Sequence, residues 1–140
     1  MSDGRGRLRI MKLKYKSGYK YQVVEDFYYF IAMEEDIKTR FIELDIHGTL
    51  TIRAGYAFDG ASGPTWDSKE TMKASLVHDA LYQLMREGHL SQDCRKATDA
   101  LLRDIGIQEG MWKIRAWTWY YGVRAFAGGA ARGVREVKEV

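Results

Sequence analysis

The sequence predicts an α+β fold: a small N-terminal antiparallel β-sheet followed by a C-terminal three-helix unit with a central helix hairpin. Three observations predict it. Up to about residue 54, apolar and polar residues tend to alternate, in runs rich in aromatic and β-branched side chains. From residue 68 onward, apolar residues recur every three or four positions, and polar caps and glycines bracket the segments. Between the halves lies a glycine-rich stretch, 55–67, that holds the only proline. The 140 residues are enough to bury one hydrophobic core, so the chain reads as a single domain, 1–140.

The domain divides into a basic arm (1–7), a β-rich part (8–54), the loop (55–67), a helical part (68–127) and a charged tail (128–140). In the β-rich part, Leu8 to Tyr15 partly alternates, Ser17-Gly18 supplies a turn, and Tyr19 to Phe30 mixes valine with aromatics and favours strand. Glu34-Glu35-Asp36 breaks the pattern. Phe41 to Ile46 resumes it with Ile42, Leu44 and Ile46 on one face; His47-Gly48 is a tight turn, and Leu50 and Ile52 return on the next strand.

The helical part opens at Asp67-Ser68-Lys69-Glu70, whose spacing is that of a capping box. This first helix runs to about Arg86 and stops at Gly88. Ser91 caps a second helix that carries Ala97, Leu101, Leu102 and Ile105 and ends at Gly106. A third runs from near Gln108 through Phe126 to Gly128-Gly129. Its Trp112, Ala116, Trp119, Val123 and Phe126 recur at helical spacing, the pattern of a core face. Lys113, Arg115 and Arg124 among the aromatics also fit an interfacial membrane helix; the core reading is preferred, with Trp117 or Tyr121 reaching a partner.

Lys+Arg 22 against Asp+Glu 19 leaves a net charge of only +3, too small to indicate nucleic-acid binding by itself. The excess is concentrated in Arg5, Arg7, Arg9, Lys12, Lys14, Lys16 and Lys20. Such an arm attracts an acidic partner, a membrane surface or nucleic acid, or is simply a solvated face, the preferred reading. No nucleic-acid reader motif accompanies it, so nucleic acid is not the expected partner. No apolar run approaches the ~20 residues of a membrane span. The start lacks a signal peptide's apolar region, which predicts a protein made and kept in the cytoplasm. Cys94, the one cysteine, excludes an intrachain disulfide and reads as a packing residue; a structural zinc site has no ligands.

Chemistry is concentrated in Ser75-Leu76-Val77-His78-Asp79-Ala80-Leu81-Tyr82, where an imidazole and a carboxylate sit inside apolar sequence. Burial of such groups is unfavourable unless each finds a partner. Tyr82 shares a helix face with His78 and Asp79. A hairpin turning at Gly88 brings Asp99 back opposite His78, where its carboxylate fixes the tautomer and leaves the other ring nitrogen free to take a proton from water. Upstream, the glycine-rich loop carries Asp59, and hard cations such as calcium take carboxylate and carbonyl oxygens of this kind. Asp59, Asp79 and Asp99 around one histidine would repel one another without a cation. Two readings therefore stand: a functional site, slightly preferred, or a satisfied polar network that braces loop and hairpin. His47 and His89 fall in turns and read as exposed rather than as ligands.

His78-Asp79-x-x-Tyr82 followed by Asp99 resembles the catalytic core of phospholipase A₂, without the disulfides that staple that core. The resemblance implies His78 as general base, Asp99 as the group orienting it and Tyr82 as a member of the same network. It also implies calcium held by Asp79, Asp59 and loop carbonyls near Phe58 and Gly60, polarising an ester carbonyl. A longer resemblance, over about residues 40–127, rests on Phe58-Asp59-Gly60-Ala61-Ser62-Gly63-Pro64, His78-Asp79-Ala80-Leu81-Tyr82 and Ala97-Thr98-Asp99 in that order, then the late aromatic helix. These motifs resemble domain of unknown function family 1353, frequent in bacteriophages and prophages. The combined expectation is a phage-encoded, calcium-dependent, phospholipase-like ester hydrolase that meets phospholipid or a membrane surface. The alternative is a virion or tail structural or assembly protein that contacts other phage proteins through the basic arm and charged tail, the cluster serving as a brace. Either would be synthesised in the host cytoplasm, and the second would end in the virion.

Overall fold

Strand alternation and helical periodicity are both realised, in that order along the chain. The structure, a computed structural model, describes residues 13, 15–16, 21–58 and 69–132. Strands occupy the first half and helices the second, an α+β architecture. The chain divides into two compact units, Met1–Asp59 and Gly60–Val140.

The first unit holds two antiparallel sheets. In one, β1 (Tyr15–Lys16) pairs with β2 (Tyr21–Val23), which pairs with β7 (Ala57–Phe58). In the other the order is β3 (Phe27–Phe30), β6 (Thr49–Ile52), β5 (Ile42–Leu44), β4 (Ile37–Lys38). The period of two sets its core. Phe27, Ile52 and Ile42 are cross-strand partners, as are Tyr29, Leu50 and Leu44, and all six are buried. Tyr28, Thr51 and Glu43 form the row on the opposite face.

Three expectations for this half are corrected. The run from Tyr19 to Phe30 is not one strand: Val24 to Asp26 separates β2 from β3, and the two lie in different sheets. Residues 37–38, read only as following a break, form the edge strand β4. Ile46 does not continue the buried face of Ile42 and Leu44 but is exposed, because the strand ends at Leu44. Asp45 turns the chain there: its Oδ1 accepts from the His47 and Thr49 amides at 2.9 and 3.0 Å, and Gly48 closes the turn at φ +85°. Those backbone donors, Thr49 foremost, hold the Asp45 carboxyl below its ordinary range.

In the second unit, α1 (Lys69–Arg86) is the central helix. Ala74, Leu76, Val77, Ala80, Leu81 and Leu84 are all fully buried and form one broad apolar face. It ends where expected, at Gly88 (φ +84°), with the His89 amide bonded to the Leu84 carbonyl at 2.9 Å. The capping box that would open it lies at 67–70, outside the residues whose side chains are described.

Ser91 caps a 3₁₀ turn, Gln92–Cys94, rather than the helix itself. The helix that follows, α2 (Arg95–Gln108), buries Thr98, Asp99, Leu102 and Ile105, whereas Ala97 is exposed and Leu101 only half-buried. It does not end at Gly106. A side chain there would press on Met111 Sδ at 3.3 Å, so the glycine serves close packing and the helix runs two residues further. The third helix, α3 (Lys113–Phe126), accordingly starts later than expected, after Gly110 at φ +109°. A fourth, α4 (Gly128–Arg132), occupies the start of the expected charged tail. Its Ala130 and Ala131 carbonyls accept from Arg86 and Gln92 at 3.1 and 2.8 Å. The basic arm 1–7 and the tail beyond 132 lie outside the described residues.

Candidate functional site

Asp99 is the hub of the helical unit. It sits on the buried face of α2, fully enclosed, and four polar side chains from three helices converge on it. From α1, His78 Nε2 lies 2.7 Å from Oδ1, and the Tyr82 hydroxyl donates to the same oxygen at 2.6 Å. From α3, the Arg124 guanidinium donates to Oδ2 at 2.8 Å. Arg95, one turn before Asp99 on α2, lies 3.9 Å from Oδ2 and donates to the Tyr82 oxygen at 3.1 Å. Arg95 also donates to the carbonyls of Val123 and Arg124 at 3.0 and 2.9 Å, tying α2 to the last turn of α3. Gly128 leaves room for this guanidinium: a Cβ there would lie 3.3 Å from it.

The electrostatics follow from this arrangement. Burial alone would raise the Asp99 carboxyl, but the hydrogen bonds from His78 and Tyr82, the charge of His78 and the bond from Arg124 outweigh it and hold Asp99 below the ordinary carboxylate range. An ionised Asp99 can only accept, so the proton it shares with His78 belongs to Nε2. In the neutral form of the ring this places the lone pair on Nδ1, for which no bond is seen among the described residues. Burial, and then the bond to Asp99, push the Tyr82 hydroxyl well above its ordinary range despite the opposing effect of Arg95, so it remains a donor. The two rings also touch, with centroids 4.1 Å apart.

The environment is buried but not apolar. Thr71, Ser75, His78 and Tyr82 fall on one stripe of α1, and all four are buried. The Ser75 hydroxyl, one turn before His78, has no hydrogen-bond partner among the described residues, although buried hydroxyls ordinarily find one.

Of the residues singled out in the sequence, His78, Tyr82 and Asp99 are thus brought together. Asp79 lies on α1, half-buried, with polar contacts of its own. Phe58 is buried on β7, its ring 5.6 Å from that of Tyr21. Asp59 and Gly60, the remaining expected calcium ligands, lie outside the described residues. Carboxylate and carbonyl oxygens are the donors that calcium takes, so the set fits in its chemistry. Among the described residues, however, no three His, Cys, Asp or Glu side chains gather around one point. Positive charge beside Asp99 comes instead from Arg124 and Arg95. Both were missed as members of the cluster. Arg95 was legible, being four residues before Asp99 on a helix. Arg124 was not, because nothing in the local sequence says which way its side chain turns.

The expected exposures of His47 and His89 are found. Among the described residues no helix is long and apolar enough to cross a membrane. A family model described as a protein of unknown function (DUF1353) matches residues 33–123, a span that contains His78, Asp79, Tyr82, Arg95 and Asp99 and stops one residue short of Arg124. No curated protein and no solved structure matches the chain. With more than half of its length matched, from the edge of the second sheet to the last turn of α3, the chain belongs to the DUF1353 family.

Proposed function

We propose that the protein is a phage-encoded hydrolase of phospholipid or a similar ester, with His78 as its general base. The observation that carries this reading is the 2.7 Å bond from His78 Nε2 to a fully buried Asp99. It fixes one nitrogen and leaves the other to accept a proton from water. In the reaction, water gives that proton to Nδ1 as its oxygen attacks the ester carbonyl carbon. Asp99, itself held by Tyr82 and Arg124, orients the ring and stabilises the imidazolium that forms. The imidazolium then returns the proton to the leaving alkoxide as the C–O bond breaks. Ser75, unpaired on the same stripe, is available to a bound water or substrate. Calcium, if bound with the help of the Asp79 carboxylate, would supply positive charge to the ester oxygen.

The second reading, a virion or tail component, is favoured by a different observation. Asp99 takes its donors from α1 and α3 and lies against Arg95 on its own helix, as a brace would. Its partners would be other phage proteins reached through the basic arm and the tail.

Ester release and calcium binding, measured for the wild type and for His78→Ala, separate the two. The hydrolase reading expects turnover on phospholipid vesicles or soluble esters to fall by about 10²–10⁴-fold in a variant that remains folded. A folded wild type with no turnover on either substrate sinks it. Particle assembly unchanged by loss of 1–7 and 133–140 counts against the virion reading.

A further inference from the structure

Helix α3 is apolar on two opposite faces. Its inner face, Ala116, Trp119, Tyr120 and Val123, is buried as a helix in a bundle requires. Its outer stripe is not polar. Ile114 is 82% exposed, Trp117 41% and Tyr121 61%, and they follow one another at three- and four-residue spacing along that stripe. Thr118, lying among them, directs its hydroxyl to the Ile114 carbonyl at 2.9 Å, which leaves the stripe poor in polar groups. Trp112 and Phe126 extend the apolar surface at either end, 84% and 89% exposed. These two were expected in the core. Trp112 has extended backbone (φ −64°, ψ 145°) and precedes the helix, and Phe126 is its last residue, so neither keeps to the buried stripe.

The charge carried by the helix itself has one sign. From Met111 to Arg132 there is no carboxylate; Arg124 turns inward to Asp99 and Arg115 has a buried nitrogen, which leaves Lys113 and Arg132 as the exposed cations. The Arg103 guanidinium of α2 lies over the Trp117 ring at 4.3 Å and over Tyr120 at 5.0 Å, while its Nε donates to Asp104 at 2.8 Å. A second copy of the chain packing face to face would bring the exposed cations together. An anionic lipid surface would not: tryptophan and tyrosine settle at the headgroup level while lysine and arginine meet phosphate.

We propose that the outer face of α3 docks the protein on an anionic phospholipid surface. The inference rests on the hydrolase reading for its purpose and deepens it by naming the form in which substrate is met. It also links the two places physically, since Arg124 on the docking helix bonds Asp99 directly.

The test uses the full chain with vesicles of phosphatidylcholine containing about one third phosphatidylglycerol, scored by co-sedimentation and tryptophan emission. Binding is expected, with a blue shift, release by salt, and at least ~10-fold weaker binding to pure phosphatidylcholine. The double variant Ile114→Ser/Tyr121→Ser should lose ~10-fold or more, because each apolar side chain contributes on that scale, while its circular dichroism and melting stay unchanged. Lys113→Glu should weaken binding as well. No vesicle binding by the wild type, or equal binding by the folded double variant, overturns the proposal. So does a wild-type dimer, without vesicle binding, that the double variant converts to monomer. His78→Ala should bind as wild type does. Vesicle binding without turnover therefore keeps the docking face and sinks the hydrolase. Turnover of a soluble ester without vesicle binding does the reverse.

Discussion

Replacing Asp99 should be the most damaging single change in the helical unit. Asp99→Ala leaves Arg124, whose side chain is 31% exposed, without its carboxylate and removes the acceptor shared by His78 and Tyr82. Breaking a fully buried ion pair from one side destabilises by about 3–5 kcal/mol; with Arg124 partly solvated the loss should fall toward the lower end of that range, to be read by denaturant unfolding. Tyr82→Phe keeps the ring and removes both the donor to Asp99 and the acceptor for Arg95, a loss of about 1.5–3 kcal/mol in the same measurement. A much smaller loss would mean that the 2.6 Å bond contributes little. At this scale the sequence was informative where helical spacing could speak. His78, Tyr82 and Asp99 follow from one face of one helix and one hairpin. Arg95 follows from the same spacing rule. Arg124 depends on how α3 packs against α2, which no local pattern encodes.

Glycines separate what was legible from what was not among the elements. Gly48 and Gly88 sit at positive φ and mark turns, as glycine signals imply. Gly106 resembles them in sequence but is helical, and its reason is the approach of Met111 and Trp119. The distinction can be measured. Gly106→Ala replaces the weakest helix former short of proline with the strongest, worth about 0.8–1 kcal/mol, and asks only the flexible Met111 tip to move by a few tenths of an ångström. It should be neutral or mildly stabilising. Gly106→Val, with two further methyl groups against Met111 and Trp119, should destabilise by about 1–3 kcal/mol. If both variants melt like the wild type, close packing is not what holds a glycine there. For α3, helical spacing identified Ala116, Trp119 and Val123 as core but could not show that Trp112 precedes the helix.

For the whole molecule, pH should outline stability from both sides. The Asp99 carboxyl is held low in the folded state, so its contribution is complete above the ordinary value of 3.8 and is lost as pH falls through the lower folded value. Asp26 and Asp45 are shifted the same way, Asp26 by the Ala54 amide and then by Arg53, and Asp45 by the Thr49 amide. They should steepen the same acid limb. Tyr82 is shifted upward, so its contribution is complete below the ordinary value of 10.0 and is lost as pH rises through the folded value. Melting temperature against pH should therefore fall at both ends, and Tyr82→Phe should flatten the alkaline limb while also weakening the acid limb, because its hydroxyl helps hold Asp99 low. An unchanged alkaline limb in that variant would assign the loss to other groups. The α+β class was visible in the sequence because two periodicities succeed one another along it. The division of strands into two sheets was not, since it depends on pairing between distant segments such as β2 and β7.

Asp99 has a consequence for how this protein can change over generations. A carboxylate enclosed with two guanidiniums, an imidazole and a phenol cannot drift one position at a time. Losing either member of the Asp99–Arg124 pair strands the other, so substitutions at these two positions should travel together among relatives. Val123 and Arg124 themselves offer Arg95 only their carbonyls, so position 95 should follow position 99 rather than the side chains it bonds in α3. The outer stripe of α3 touches none of these groups and is free to vary under whatever it meets.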